Sequence, residues 1–274
     1  MCTNKNMVPI SAALSKFPGE ASMIRRIVFA LIMPLAACSH VSREVASSSD
    51  AERRAAARVE LAKAYFAEGS YVIALEEVNH ALEVMPDRAD ALSLRSLALM
   101  HLGEPEPAKQ SMARALRSAP EDPALQNNMG WLLCETGKVA ESLPYFDRAL
   151  AQRRYSAPAN AAMNAGTCSL RLGDRPRAAQ YFQRALQSEP GLLAAHAQLA
   201  RLAVEQGDDQ AARRHFKQVI ASGHASSQDY ALALALASRL GDRDTERSIV
   251  AQWKRAFPES PQLQAYLRTE IHER

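Results

Sequence analysis

Aromatic residues are scarce in this chain, 6% of 274, although hydrophobic residues reach 47% and alanine is abundant among them. That balance excludes a core of large interlocking rings and suits paired helices that approach closely; helix, not sheet, fills such a chain. The sequence patterns of common chemistries are also missing. There is no Gly-x-x-x-x-Gly-Lys to cradle a phosphate, no His-Glu-x-x-His and no Gly-x-Ser-x-Gly. The seven histidines, at 40, 80, 101, 196, 215, 224 and 272, are scattered. His196 and His215 could meet, but two helical histidines without a third ligand make a poor zinc site. Asp242, Asp244 and Glu246 form an acidic turn that reads as a solvated helix cap rather than a calcium site. No catalytic residue, metal or cofactor is expected, and the chain reads as a binding protein rather than an enzyme.

What is present is a ruler. Glycines stand at 69, 103, 137, 173, 207 and 241, spaced 34, 34, 36, 34 and 34 residues apart. A small residue follows five positions later in most copies (Ala74, Ala108, Ser142, Ala178, Ala212). A bulky one comes four beyond that (Val78, Met112, Phe146, Phe182, Phe216), and prolines 86, 120, 190 and 258 end helices at one phase. This is the period of a tetratricopeptide array. Each unit is two antiparallel helices that cannot bury their apolar faces alone, so neighbours stack into an all-α solenoid with a concave surface. The six units begin near Ala55, Ala89, Pro123, Ala159, Leu193 and Ser227. The link from the third to the fourth is longer by two residues and should loop out on one face. Glu104-Pro105-Glu106-Pro107 should make the second helix of unit two start late. The sixth unit departs at Glu246, Val250 and Trp253, and residues 261–274, with Leu263, Tyr266, Leu267 and Ile271, read as a capping helix.

The N-terminus carries a different signal. Arg25 and Arg26 precede a short apolar run from Ile27 to Leu35, then Leu35-Ala36-Ala37-Cys38. A run of about nine residues is too short to span roughly 30 Å of hydrocarbon. With basic residues before it and small ones before a cysteine, it reads as a bacterial lipoprotein signal with Cys38 as the lipidated residue. Ser39 after the cysteine suits sorting to the outer membrane. Residues 1–37 are therefore a leader, with Met23 as the expected true start, residues 38–51 a serine-rich flexible tether, and residues 52–274 the repeat domain. Residues 1–37 hold Lys5, Lys16, Arg25 and Arg26 against Glu20, which leaves 29 basic and 29 acidic residues beyond them. The excess of positive charge belongs to the leader, so no nucleic-acid partner is expected. The expected partners are a protein and, through the lipid, a membrane; the chain is expected to be a monomer.

Six residues before each glycine, Lys63, Leu97, Trp131, Thr167, Arg201 and Ala235 should point into the groove, flanked by Ser93, Met100, Asn127, Met163, Glu135, Arg171 and Glu205. The half containing Leu97, Met100, Trp131 and Met163 is the apolar one. Aromatic anchors concentrate interface energy, which makes Trp131 the leading contact; the alternative is that it covers the seam between units. Asn127 and Lys63 are too few for a carboxylate clamp. Asn128 and Asn164, at one phase of successive units, should hydrogen-bond within their repeats.

Cys134 and Cys168 lie in the first helices of consecutive units, on opposite flanks about 160° apart at 100° per residue. Helix axes about 8–10 Å apart bring such Cα atoms to roughly 3.5–5.5 Å, within disulfide reach. Two buried thiols acting as small apolar residues are the alternative.

Asn127-Asn128-Met129-Gly130-Trp131-Leu132-Leu133-Cys134, the matching Asn164-Ala165-Gly166-Thr167-Cys168, Leu240-Gly241-Asp242-Arg243-Asp244 and Phe257-Pro258-Glu259-Ser260-Pro261 resemble the type IV pilus biogenesis/stability lipoproteins, the PilW/PilF family. The resemblance covers about residues 38–268. It implies a pilotin: a lipid-anchored, periplasm-facing outer-membrane adaptor that helps a secretin subunit reach the membrane and form its ring. A lipoprotein scaffold for peptidoglycan enzymes, or one for tight-adherence pili, would share anchor and repeats.

Overall fold

The computed structural model describes residues 49–272, with side chains as far as Arg268. The chain divides into two compact units, residues 1–57 and 58–274. In the first, residues 49–57 are helical throughout. Helix therefore covers Ser49 to Ala51, the last positions of the expected tether. The physical reason is local: Asp50 pairs with Arg53 one turn later, ahead of a helix-favouring run through Ala55. The rest of the tether, Cys38, Met23 and the leader lie outside the described residues.

The second unit is a succession of antiparallel helix pairs. Its first helix, α1 (58–67), pairs with α2 (Tyr71–Val84), α3 (Ala89–His101) with α4 (Pro105–Ser118), and α5 (Pro123–Glu135) with α6 (Val139–Ala151). Then α7 (Pro158–Arg171) pairs with α8 (Arg175–Ser188), α9 (Leu193–Gln206) with α10 (Asp209–Ala221), and α11 (Ser227–Arg239) with α12 (Arg243–Ala256); α13 (Pro261–His272) follows alone. No strand occurs among the described residues. All six ruler glycines lie between the helices of a pair at φ between +67° and +83°, the left-handed region that only a residue without a Cβ enters cheaply.

The helix starts are coded locally. Asp122, Asp174, Asp208 and Asp242 each accept from backbone N–H groups of the turn they cap, and Ser226 and Asp229 form a reciprocal capping box. The expected late start of unit two's second helix is not found. Pro105 is the first residue of α4, two after its glycine like the first residue of every other second helix. A first-turn proline forfeits only an N–H that has no intrahelical partner.

Inside each pair, size is matched across the crossing. Gly130 faces Phe146 and Gly166 faces Phe182, and both rings are fully buried. Successive first helices also touch one another: α3 with α5, α5 with α7, and α9 with α11. The first helices thus lie side by side, each packed against its second helix. The 3-to-4 link tucks Tyr155 into the core of units three and four. Burial first, and Asp122 second, push its phenol pKa up, so the ring stays neutral.

One clamp recurs at the joints. Gln126 donates to the carbonyl of Pro120 at 2.6 Å, His196 to that of Pro190 at 3.0 Å, and Gln264 to that of Pro258 at 2.9 Å. Gln264 is the fourth residue of α13, as Gln126 is of α5, so α13 repeats the register of a first helix. Its eighth residue, Arg268, is exposed where α5 has Gly130. A charge thus stands at the position where α5 receives the ring of Phe146. In unit six, Trp253 is 1% exposed, lies parallel to Tyr230 at 6.3 Å, and donates to Ser227 at 3.0 Å. Leu263 of α13 is equally buried against this core, with Tyr266 and Leu267 packed at its edge.

Candidate protein-binding face

The groove positions differ in what their side chains already do. Lys63 and Thr167 are exposed, and the Lys63 ammonium lies 2.7 Å from Glu60. Leu97, Met100, Trp131 and Met163 are half-buried. Met100 and Trp131 pack on the core of units two and three, and Trp131 and Met163 on that of units three and four. Trp131 thus spans a seam and still presents part of its ring. Leu97 belongs to neither core.

Several groove positions are already engaged. Asn127 is 9% exposed and accepts from Asn164 at 3.0 Å, while Asn128 donates to Ser93 at 3.0 Å. These asparagines tie successive units together rather than bonding within a repeat, because the carboxamides sit on the flank that meets the neighbouring first helix. Arg201 donates to Asp229 at 2.7 Å, and Asp229 is also the acceptor of the Ser226 cap. The Asp229 carboxylate is buried, which commits the Arg201 guanidinium to that joint.

A row of rings runs along the same layer through units one to three. Trp131 lies near-parallel to His101 with centroids 6.3 Å apart, and His101 stacks on Tyr71 at 4.2 Å and 9°. Phe66 stands edge-on to Tyr71 at 5.1 Å and to His101 at 5.3 Å. Edge-to-face and offset contacts of this kind add to area burial. Phe66, Tyr71 and His101 were not among the expected groove residues. Their signal was position: each lies within three residues of a ruler glycine, where side chains at the helix–turn edge of neighbouring units converge.

Farther along the stack the same edge is charged. Arg171 pairs with Glu135 at 2.8 Å, Arg175 with Glu205 at 2.7 Å, and Arg239 with Asp209. These exposed pairs contribute little stability, but they make units four to six polar where units one to three are aromatic. Beneath Arg171, Cys134 and Cys168 are joined in a disulfide with Cα atoms 6.0 Å apart, slightly beyond the separation expected from ideal helix spacing. The Arg171 guanidinium lies 3.7 Å from the Cys134 sulfur. No group of three or more metal-ligating side chains occurs among the described residues.

Comparison with known proteins matches this architecture. Tetratricopeptide-repeat family models cover residues 59–123 and 127–192, and a second such model covers 169–245. The type IV pilus assembly protein PilF of Pseudomonas aeruginosa is 25% identical over 242 residues, 88% of this chain and 96% of that protein. The crystal structure of PilW, described as a widely conserved type IV pilus biogenesis factor, is 30% identical with a TM-score of 0.67, over 78% of this chain and 98% of PilW. The structure of Pseudomonas aeruginosa PilF superposes with a TM-score of 0.71 over 80% of this chain and 99% of that one, at 24% identity, and supports the fold. Such repeat modules bind proteins and do not catalyse. With nearly the whole of PilW matched in both sequence and structure, this chain belongs to the tetratricopeptide-repeat family of type IV pilus biogenesis factors.

Proposed function

We propose that the chain is a lipid-anchored, periplasm-facing adaptor of the outer membrane that binds secretin subunits as a monomer and assists their localisation and multimerisation. The observation that supports a binding role at this face is the half-buried aromatic and methionine surface from Phe66 to Met163, continuous through units one to four. Apolar rings that packing holds in place but leaves partly open suit an apolar partner segment, because their ordering cost falls before binding. Cys38 would supply membrane attachment. Carrying a client then needs two linked affinities and no chemistry.

The test pairs purified secretin subunit with the wild-type chain and with Trp131→Ala. Loss of this anchor should weaken binding by about 2 kcal/mol, roughly thirtyfold, with helicity unchanged and fewer assembled rings in cells. Cys38→Ala should leave the chain unacylated and outside the outer-membrane fraction. A folded, correctly localised Trp131→Ala, Leu97→Ala variant that still binds the subunit and supports normal multimers would refute this face as the recognition surface.

A further inference from the structure

On the side of the stack away from the first helices, a groove separates successive second helices. Between α6 and α8 the chain bridges it. Asp147 of α6 accepts from the Tyr181 hydroxyl at 2.6 Å and from Arg177 at 3.0 Å, both on α8. Asp147 is ten residues past its ruler glycine, and Arg177 and Tyr181 are four and eight past theirs. The same register between α10 and α12 reads Lys217 for the carboxylate, Thr245 for the guanidinium and Ile249 for the phenol. A cation has replaced the acceptor, and both reaching side chains have become short.

A cavity of about 430 Å³ remains there, within the range of roughly 300–1,000 Å³ typical of small-ligand sites. Phe216, Ile220, Leu236, Ala237 and Ile249 line its apolar part. The polar rim is mostly satisfied internally. Arg213 and Thr245 both bond Asp242 at 2.8 Å, and Gln252 donates to Ser248 at 3.2 Å. Lys217 is the exception: no carboxylate pairs with it among the described residues. The site offers an apolar slot, one uncommitted cation and no other free charge.

We propose that the α10–α12 groove docks a partner peptide segment bearing an aromatic side chain with a carboxylate one residue away. The ring fills the space that Tyr181 fills between α6 and α8, and the carboxylate pairs with Lys217, reproducing in trans, with the charges reversed, the bridge the chain makes with itself two units earlier. This surface is separate from the aromatic face of units one to four, and its fate does not depend on the identity of the client bound there.

The test uses the isotope-labelled full chain and two acetylated, amidated tetrapeptides, Ala-Tyr-Asp-Ala and Ala-Tyr-Asn-Ala, followed by amide chemical shifts. The acidic peptide should produce saturable shifts confined to α10, α11 and α12 and bind at least fivefold tighter than its amide counterpart. Lys217→Ala should remove that preference. Ile249→Tyr with Lys217→Asp should rebuild the internal bridge, abolish binding and raise the melting temperature. Ile249→Phe, which fills the slot without the bridge, should also block the peptide and guards against misfolding of the double variant. Absence of saturable shifts, shifts centred on the aromatic face of units one to four, equal affinity for the two peptides, or undiminished binding to the filled groove would each overturn the proposal.

Discussion

A β-carbon placed on Gly166 would stand 2.5 Å from the ring of Phe182, closer than any real side chain tolerates. The glycine is what lets α7 and α8 cross with a fully buried aromatic between them, and Gly130 with Phe146 repeats the relationship one unit earlier at 2.8 Å.

Gly166→Ala should therefore destabilise the fold by about 2 kcal/mol through overpacking, despite alanine's better helix propensity. Chemical denaturation of the wild type, the variant, and Gly166→Ala with Phe182→Leu measures it. The second substitution should recover part of the loss; a single variant as stable as wild type would show that the crossing adapts freely.

Reducing the Cys134–Cys168 bond should lower stability by on the order of 3–4 kcal/mol, the chain-entropy value for a loop of this size. Non-reducing peptide mapping should recover the linked pair from protein produced in an oxidising compartment. The denaturation midpoint should fall on reduction in wild type and not in a Cys134→Ala, Cys168→Ala variant.

Asp229→Ala removes the buried acceptor shared by Arg201 and the Ser226 cap. Breaking a buried pair from one side leaves an uncompensated charge, so a loss of about 3 kcal/mol is expected. Arg201→Met, which removes the stranded cation as well, should restore part of it when combined with Asp229→Ala.

His196 and His215 share a hydrogen bond, Nδ1 to Nδ1, at 2.9 Å, while His196 also holds the Pro190 carbonyl. Burial first, then His196 and Arg214, lower the pKa of His215. The unfolded chain therefore binds protons more readily than the folded one as pH falls below the ordinary histidine value, so this joint's contribution is complete above about pH 6.5 and declines below it. His215→Tyr, the residue that unit four has at this register, should reduce the drop in melting temperature between neutral pH and pH 5. An unchanged pH profile would remove the pair from the account.

The period of the glycines and the residue sizes around them determined the repeat and its six helix pairs, while helix at Ser49 and the start of α4 at Pro105 fell elsewhere than the sequence suggested. The repeat and its pairs follow from backbone conformation and local helix chemistry, which a sequence carries position by position. The pairing of Cys134 with Cys168 was also legible, since it needs only the helix phase and the spacing of neighbours. Tertiary structure alone decided which groove-facing residues remain available. Asn127 and Arg201 have the right phase but are engaged across unit joints, whereas Phe66, Tyr71 and His101 join Trp131 from positions beside the turns. Phase sets a side chain's direction from its own helix; whether it meets a ring, a carboxamide or a carboxylate depends on the neighbouring unit, whose placement no single repeat encodes.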